Sequence, residues 1–173
     1  MKILAVSGSL RSSSSNTAIL RLISHFAPEP FEIDLYDSIG NLPHFNPEFD
    51  GENPPASVKK WRDRLQQSDA VLICTPEYAH GVPGVLKNAF DWIVSSGELM
   101  HKPTAVISAS PLPDGGEKAN ASLVQTLSVM LAKIPQGAIV KIPGVSTKLN
   151  QGEVTDPTTI QALRSLLDAL AQS

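Results

Sequence analysis

The chain has 173 residues, 42% of them apolar and 18% charged, a length and balance that suit one globular domain with a full core rather than a disordered segment. Its 14 basic and 17 acidic residues leave a net charge of −3, without the electrostatic footprint of a nucleic-acid binder or of a protein that docks on an anionic membrane. A single cysteine, Cys74, excludes an internal disulfide and any cysteine-rich zinc pattern.

Residues 2–6 (KILAV) read as a short buried strand, because an apolar run meets Ser-Gly. Only four apolar residues follow Lys2 in a row, too few for the core of a signal peptide, and no stretch approaches the ~20 apolar residues of a membrane span. A cytoplasmic location is therefore expected. Beyond a serine-rich stretch, Ala18, Ile19, Leu22, Ile23 and Phe26 recur at helical spacing, and Pro28 and Pro30 end that helix. Residues 31–36 (FEIDLY) alternate apolar and polar, as a strand with one less buried face does. A loop rich in Gly, Pro and Asn follows. Asn53-Pro54 then predicts an N-cap with proline in the first turn, opening a helix that buries Val58, Trp61 and Leu65.

Residues 69–75 (DAVLICT) form the most strand-like run. After the loop PEYAHGVPG, Val85, Leu86, Ala89, Phe90 and Ile93 make the apolar stripe of a third helix, with Gly97 as its stop. A fourth strand is expected at 104–109, a fourth helix at 117–133, and a fifth strand at 137–142. Asp156-Pro157 caps a last helix carrying Ile160, Leu163, Leu167 and Leu170. Five strands thus alternate with five helices, and three of the strands are continuous apolar runs, as in a parallel sheet covered on both faces. The expected architecture is one doubly wound α/β domain over residues 1–173. Ligands of such folds bind beyond the carboxyl ends of the strands, so the loops to inspect follow the first, third and fourth strands.

The first of these loops, SGSLRSSSSNT (7–17), joins a buried strand to a helix N-terminus, where unpaired N–H groups and the helix dipole stabilise an anion. Hydroxyls add donors, and Arg11 adds a fork suited to phosphate. The blander reading is that Ser14 to Thr17 only cap the helix. The P-loop pattern is absent, and so is G-x-G-x-x-G, since Gly8 stands alone. A glycine-poor, hydroxyl-rich loop suits a terminal phosphomonoester such as that of FMN, which flavodoxin-like sheets of order 2-1-3-4-5 bind between their first and third strands.

GSLRSSSSNT followed by TPEYAHGVPGVLKNAFDW resembles the NADPH-dependent FMN reductase family, whose pattern is approximately G-S-x-R-x-x-S-x-N-T and then P-E-Y-N-x-x-x-P-G-x-L-K-N-A-x-D-W. NLPHFNPEFD (41–50) is also similar to the family's loop after the second strand. The resemblance implies a flavodoxin-like three-layer α/β/α sandwich with a five-stranded parallel sheet. It implies FMN as cofactor, NADPH or NADH as hydride donor, and a small-molecule acceptor: a quinone, azo compound, chromate or free flavin. It also implies a homodimer or homotetramer, with Trp92 of the third helix in the interface. Ser9, Arg11, Ser14, Asn16 and Thr17, with Ser15 among them, fall on phosphate-binding positions. Pro76, Glu77, Tyr78 and Ala79 fall on the loop along the flavin ring, where the family usually has Asn at position 79. Ser110 and Gly115 fall on the third flavin loop, where Ala109 and Pro111 replace glycines common in the family.

On this reading FMN carries the chemistry and no protein acid or base is obligatory. Glu77 is expected to contribute backbone groups while its side chain pairs outward, and His80 to be solvated. His25, His44 and His101 are scattered, so no metal site is expected. Cys74 reads as a small core residue, and the serines lack the G-x-S-x-G context of a hydrolase. One accessible flavin face implies ping-pong kinetics. The rival readings are a flavodoxin-like electron carrier, disfavoured by the small net charge and the 5% aromatic content, and a flavin-free regulator that kept the fold.

Overall fold

The three apolar runs become adjacent strands at the centre of one parallel sheet. The computed structural model describes residues 1–150 and 153–172. Strands β1 (Lys2–Ser7), β2 (Glu32–Tyr36), β3 (Ala70–Thr75), β4 (Thr104–Ala109) and β5 (Ile139–Ile142) are ordered 2-1-3-4-5, the flavodoxin-like order. Every residue of β3 and β4 is buried, whereas the edge strands β2 and β5 are half exposed, so continuous hydrophobicity marks the centre and alternation the edge.

Helices α1 (Ser15–Phe26) and α5 (Pro157–Ala171) cover one face, packing Ile19, Leu20, Ile23, Leu163 and Leu167 on Ile3, Ala5, Leu72 and Ile107. Helices α2 (Ala56–Gln66), α3 (Gly84–Asp91) and α4 (Glu117–Val129) cover the other, with Trp61, Phe90 and Leu123 on Leu4, Val6, Ile73 and Val106. A hairpin of β6 (Leu149–Asn150) and β7 (Glu153–Val154), which no sequence signal announces, lies between β5 and α5 and buries Val154.

Four boundaries differ from the expected ones, each for a physical reason. Helix α2 starts at Ala56 with Pro55 at its cap, not at Asn53-Pro54. Pro54 precedes a second proline, and a residue before proline is pushed out of the helical region. Helix α3 ends at Asp91 rather than running to Gly97. The Trp92 carbonyl is taken by the Arg62 guanidinium, with Nε at 3.1 Å and Nη2 at 2.6 Å, rather than by a further helical N–H. Helix α4 ends at Val129, not at 133. Leu131 adopts φ 57° while its N–H bonds Ser128 O at 3.1 Å and that of Ala132 bonds Leu127 O at 3.0 Å, a Schellman stop without the usual glycine. Strand β5 begins at Ile139 rather than 137, because Gly137 sits at φ 88° in a turn closed by Ala138 N on Pro135 O at 3.0 Å. On α1 the buried stripe is Ile19, Leu20 and Ile23, with Leu20 inside where Leu22 and Phe26 were expected to be and are only half-buried. Asp156 does cap α5, its Oδ2 accepting from Thr159 N at 2.8 Å.

Trp92 is fully buried within the single chain, edge-on to Phe45 at 5.1 Å between ring centres, with Nε1 donating to Pro43 O at 2.8 Å. It is a core residue that pins the 43–45 segment to the end of α3, which corrects its expected place in a subunit interface.

Candidate functional site

The register aligns Ser7 with Cys74 and Thr75 with Ser108, so the loops after β1, β3 and β4 leave the sheet side by side. The first, 8–14, is tied down by hydroxyls. Ser7 Oγ accepts from Ser9 N (3.3 Å) and from Thr17 Oγ1 (2.9 Å). Ser9 Oγ accepts from Arg11 N at 3.4 Å, and Ser14 Oγ caps α1 by accepting from Thr17 N at 3.3 Å. The lone Gly8 is set by packing: a Cβ there would meet Leu86 Cδ2 at 3.0 Å and Thr75 Oγ1 at 3.1 Å.

These bonds leave the helix start open. Among the described residues, none accepts from the backbone N–H groups of Ser12, Ser13, Ser15 or Asn16, and none pairs with the exposed Arg11 guanidinium. Free donors at a helix N-terminus beside an unpaired cation fit a phosphomonoester. The hydroxyls also cap the helix, so capping and cradle coexist. The buried Asn16 side chain points into the fold, its Oδ1 accepting from the Cys74 thiol at 3.2 Å, and Thr17 bonds Ser7. Asn16 therefore offers an anion its main-chain N–H, while Thr17, whose N–H is taken by Ser14 Oγ, contributes loop shape.

The second loop, 76–83, turns on itself. Tyr78 N and O bond Gly81 O and N at 3.1 and 3.0 Å around Ala79 (φ 48°) and His80 (φ 62°). This is a two-residue turn with both central residues left-handed. Pro76 is buried, while Tyr78 and Ala79 are exposed. Glu77 corrects the sequence reading. Its side chain is only 6% exposed and turns inward, where Oε2 accepts from Ala119 N in the first turn of α4 at 3.0 Å. Its outward contact is limited to Oε1 on His80 Nδ1 at 3.2 Å, and His80 itself is exposed.

In the third loop, Ser110 is buried and its Oγ accepts from Leu112 N at 3.1 Å. Gly115 sits at φ 66°, and a Cβ on it would approach Pro143 N to 3.0 Å and the Ile142 carbonyl carbon to 3.1 Å. Contact with the chain's own backbone after β5 thus accounts for that glycine.

Between the first two loops lies a cleft of about 330 Å³ lined by Gly8, Leu10, Arg11, Tyr78, Pro83, Gly84 and Val85. It unites Arg11 with Tyr78. Leu10 and Val85 line it too, although the sequence marks Leu10 only as a variable place inside a motif and Val85 only as core. Ser7, the hub of the first loop, was likewise not singled out for it. Among the described residues, no group of three or more His, Cys, Asp or Glu side chains could hold a metal ion. Burial pushes the Cys74 thiol far above its ordinary pKa, so it stays protonated.

The family model described as NADPH-dependent FMN reductase matches residues 1–146. The chain is 36% identical over 171 residues to a quinone reductase of Pseudomonas putida, covering 96% of this chain and 90% of that one. It is 33% identical over 173 residues to an NAD(P)H-dependent FMN reductase of Pseudomonas aeruginosa, with 98% and 93% covered. The solved structure of a flavoenzyme NAD(P)H:(acceptor) oxidoreductase from Paracoccus denitrificans superimposes with a TM-score of 0.88 at 32% identity, over 99% of this chain and 95% of that one. The chain belongs to the NADPH-dependent FMN reductase family and is an NAD(P)H-dependent oxidoreductase with FMN as its cofactor.

Proposed function

We propose that the enzyme reduces quinones, with the FMN phosphate at the start of α1 and the ring between the 76–79 and 110–116 loops. The carrying observation is the set of unpartnered N–H groups of Ser12, Ser13, Ser15 and Asn16 beside the unpaired Arg11. Ser9 and Ser14 fix the loop that presents them. Bound FMN supplies the acceptor for a hydride from NAD(P)H and passes two electrons on. The chain supplies neutralisation of the phosphate by Arg11, a loop wall from Pro76 to Ala79, a second wall at Ser110 and Gly115, and a cleft whose apolar rim of Leu10, Tyr78 and Val85 suits flat rings.

NAD(P)H and the quinone use this one cleft in turn. Initial rates at several fixed quinone concentrations should therefore give parallel double-reciprocal lines, with quinone competing against NAD(P)H at high concentration. Intersecting lines would mean that both bind at once. Turnover with a small quinone and no protein acceptor separates the enzyme from an electron carrier, and a flavin-free preparation without turnover would sink the reading altogether.

A homodimer or homotetramer is part of this proposal. Leu10 and Tyr78 are 63% and 50% exposed at the cleft, and a second copy would shield them. Sedimentation would show the assembly. A cytoplasmic location, where NAD(P)H is available and a lone thiol stays reduced, completes the proposal. Among the described residues, no helix is long and apolar enough to cross a membrane.

A further inference from the structure

Helix α4 begins without a cap of its own. Its N-cap is Gly116, at φ 77° and without a side chain, and the first intrahelical bond runs from Asn120 N to Gly116 O. Asp114 Oδ1 takes the Gly116 N–H at 3.1 Å, one step before the helix. The N–H of Ala119 is therefore one of the donors that a helix start leaves over. Its acceptor comes from another loop, 42 residues away: Glu77 Oε2 at 3.0 Å. The partner oxygen, Oε1, reaches His80 across the turn at 3.2 Å. A carboxylate at a helix N-terminus is stabilised by the unpaired N–H groups and the dipole there, which makes this contact stronger than a neutral bond. The two loops also run close together here, since a Cβ built on Gly116 would lie 3.5 Å from Glu77 Cβ.

The turn that Glu77 opens is closed by the two Tyr78–Gly81 backbone bonds, but it is strained. Ala79 and His80 both sit at positive φ without being glycine or asparagine, a conformation that costs a residue with a Cβ about 1 kcal/mol or more. Glu77 grips this turn at one end through His80 and α4 at the other through Ala119.

We infer that the Glu77 carboxylate is a positioning residue for the flavin ring: by clamping the 77–80 turn to the start of α4, it sets the spacing of the two loops between which the ring is held. This rests on the proposed placement of FMN. Glu77 acts through the loops and takes no proton or electron.

The test compares wild type with Glu77→Gln, which keeps the reach and an oxygen acceptor, and Glu77→Asp, which keeps the charge but is one methylene too short. Arg11→Ala serves as a control. Each is titrated with FMN and with riboflavin, and the visible circular dichroism of the bound flavin is recorded at saturating FMN, where differences in affinity or global stability no longer count. Glu77→Asp should lose about tenfold or more for both flavins alike and alter the flavin's dichroic bands. Glu77→Gln should restore most of both. Arg11→Ala should lose FMN alone and keep the dichroic bands. A Glu77→Asp protein with wild-type affinities and dichroism overturns the inference while leaving the FMN site intact. A merely structural Glu77 would lower the melting temperature yet leave the saturated spectrum unchanged, which overturns it equally. Failure of the wild type to bind FMN would overturn the placement on which it rests.

Discussion

The thiol of Cys74 donates to Oδ1 of Asn16 at 3.2 Å, joining the end of β3 to the first turn of α1 beneath the serine-rich loop. Both side chains are buried, and burial raises the thiol's pKa far above its ordinary 9.0. The folded chain therefore keeps this proton at a pH where the unfolded chain releases it. The stability contributed is fully present below pH 9 and falls above it, by up to about 1.4 kcal/mol per pH unit. Cys74→Ala should remove this part of the alkaline slope, at a cost near neutral pH of about 1–2 kcal/mol for the acceptor it strands on Asn16. Urea midpoints between pH 7 and 10.5 would check it. Curves that stay parallel above pH 9 would contradict the role given to the thiol.

Arg11 lies beside the open N–H groups of α1 and meets no acceptor among the described residues. Its replacement by Ala should weaken FMN binding by about 1.5–3 kcal/mol, the range of a charge-assisted hydrogen bond, and leave riboflavin, which lacks the phosphate, almost unaffected. Fluorescence titration of the apoprotein with both flavins decides this. Equal losses for the two would mean that Arg11 does not read the phosphate.

What the sequence disclosed was whatever its local period encodes. Val58, Trp61 and Leu65 of α2 stand at helical spacing and are buried, and the unbroken runs at β3 and β4 are the sheet's centre. What it hid depends on contacts between residues distant in the chain. Nothing near Trp92 announces that Arg62 will take its carbonyl and end α3. Nothing near Leu131 announces a left-handed leucine where glycine usually stands. In the site, the serine-rich loop and the PEY loop were legible from their place after apolar strands. The inward turn of Glu77 was not, because its partner, Ala119 N, carries no side-chain signal at all.

Trp92 makes a second such contact legible only in three dimensions, through Nε1 to Pro43 O at 2.8 Å. Asn88 Nδ2 also donates to that carbonyl at 2.9 Å, so Trp92→Phe does not orphan it. The expected cost is about 1–2 kcal/mol, against about 3–5 for Trp92→Ala, which opens a cavity in the core. Sedimentation of Trp92→Phe should match wild type, because the side chain is buried inside its own chain. A shift toward smaller species would return this tryptophan to an interface.

The turn at Ala79 gives the last prediction. The Tyr78–Gly81 pair closes by two backbone bonds, a geometry that needs positive φ at both central residues. Ala79 holds φ 48° and is exposed, so its Cβ strains the backbone without packing in return. Asparagine tolerates that region because its short amide bonds the local backbone. Ala79→Asn should therefore stabilise the fold by about 0.5–1 kcal/mol, and Ala79→Gly should gain less, since glycine also frees the unfolded chain. Ala79→Val, β-branched at positive φ, should lose about 1 kcal/mol or more and weaken flavin binding as the turn opens. Urea unfolding with an unchanged m-value would report the order Asn, Gly, Ala, Val from most to least stable. A valine variant as stable as the alanine one would show that this turn relaxes freely, and the left-handed pair would then carry no strain for a substitution to relieve.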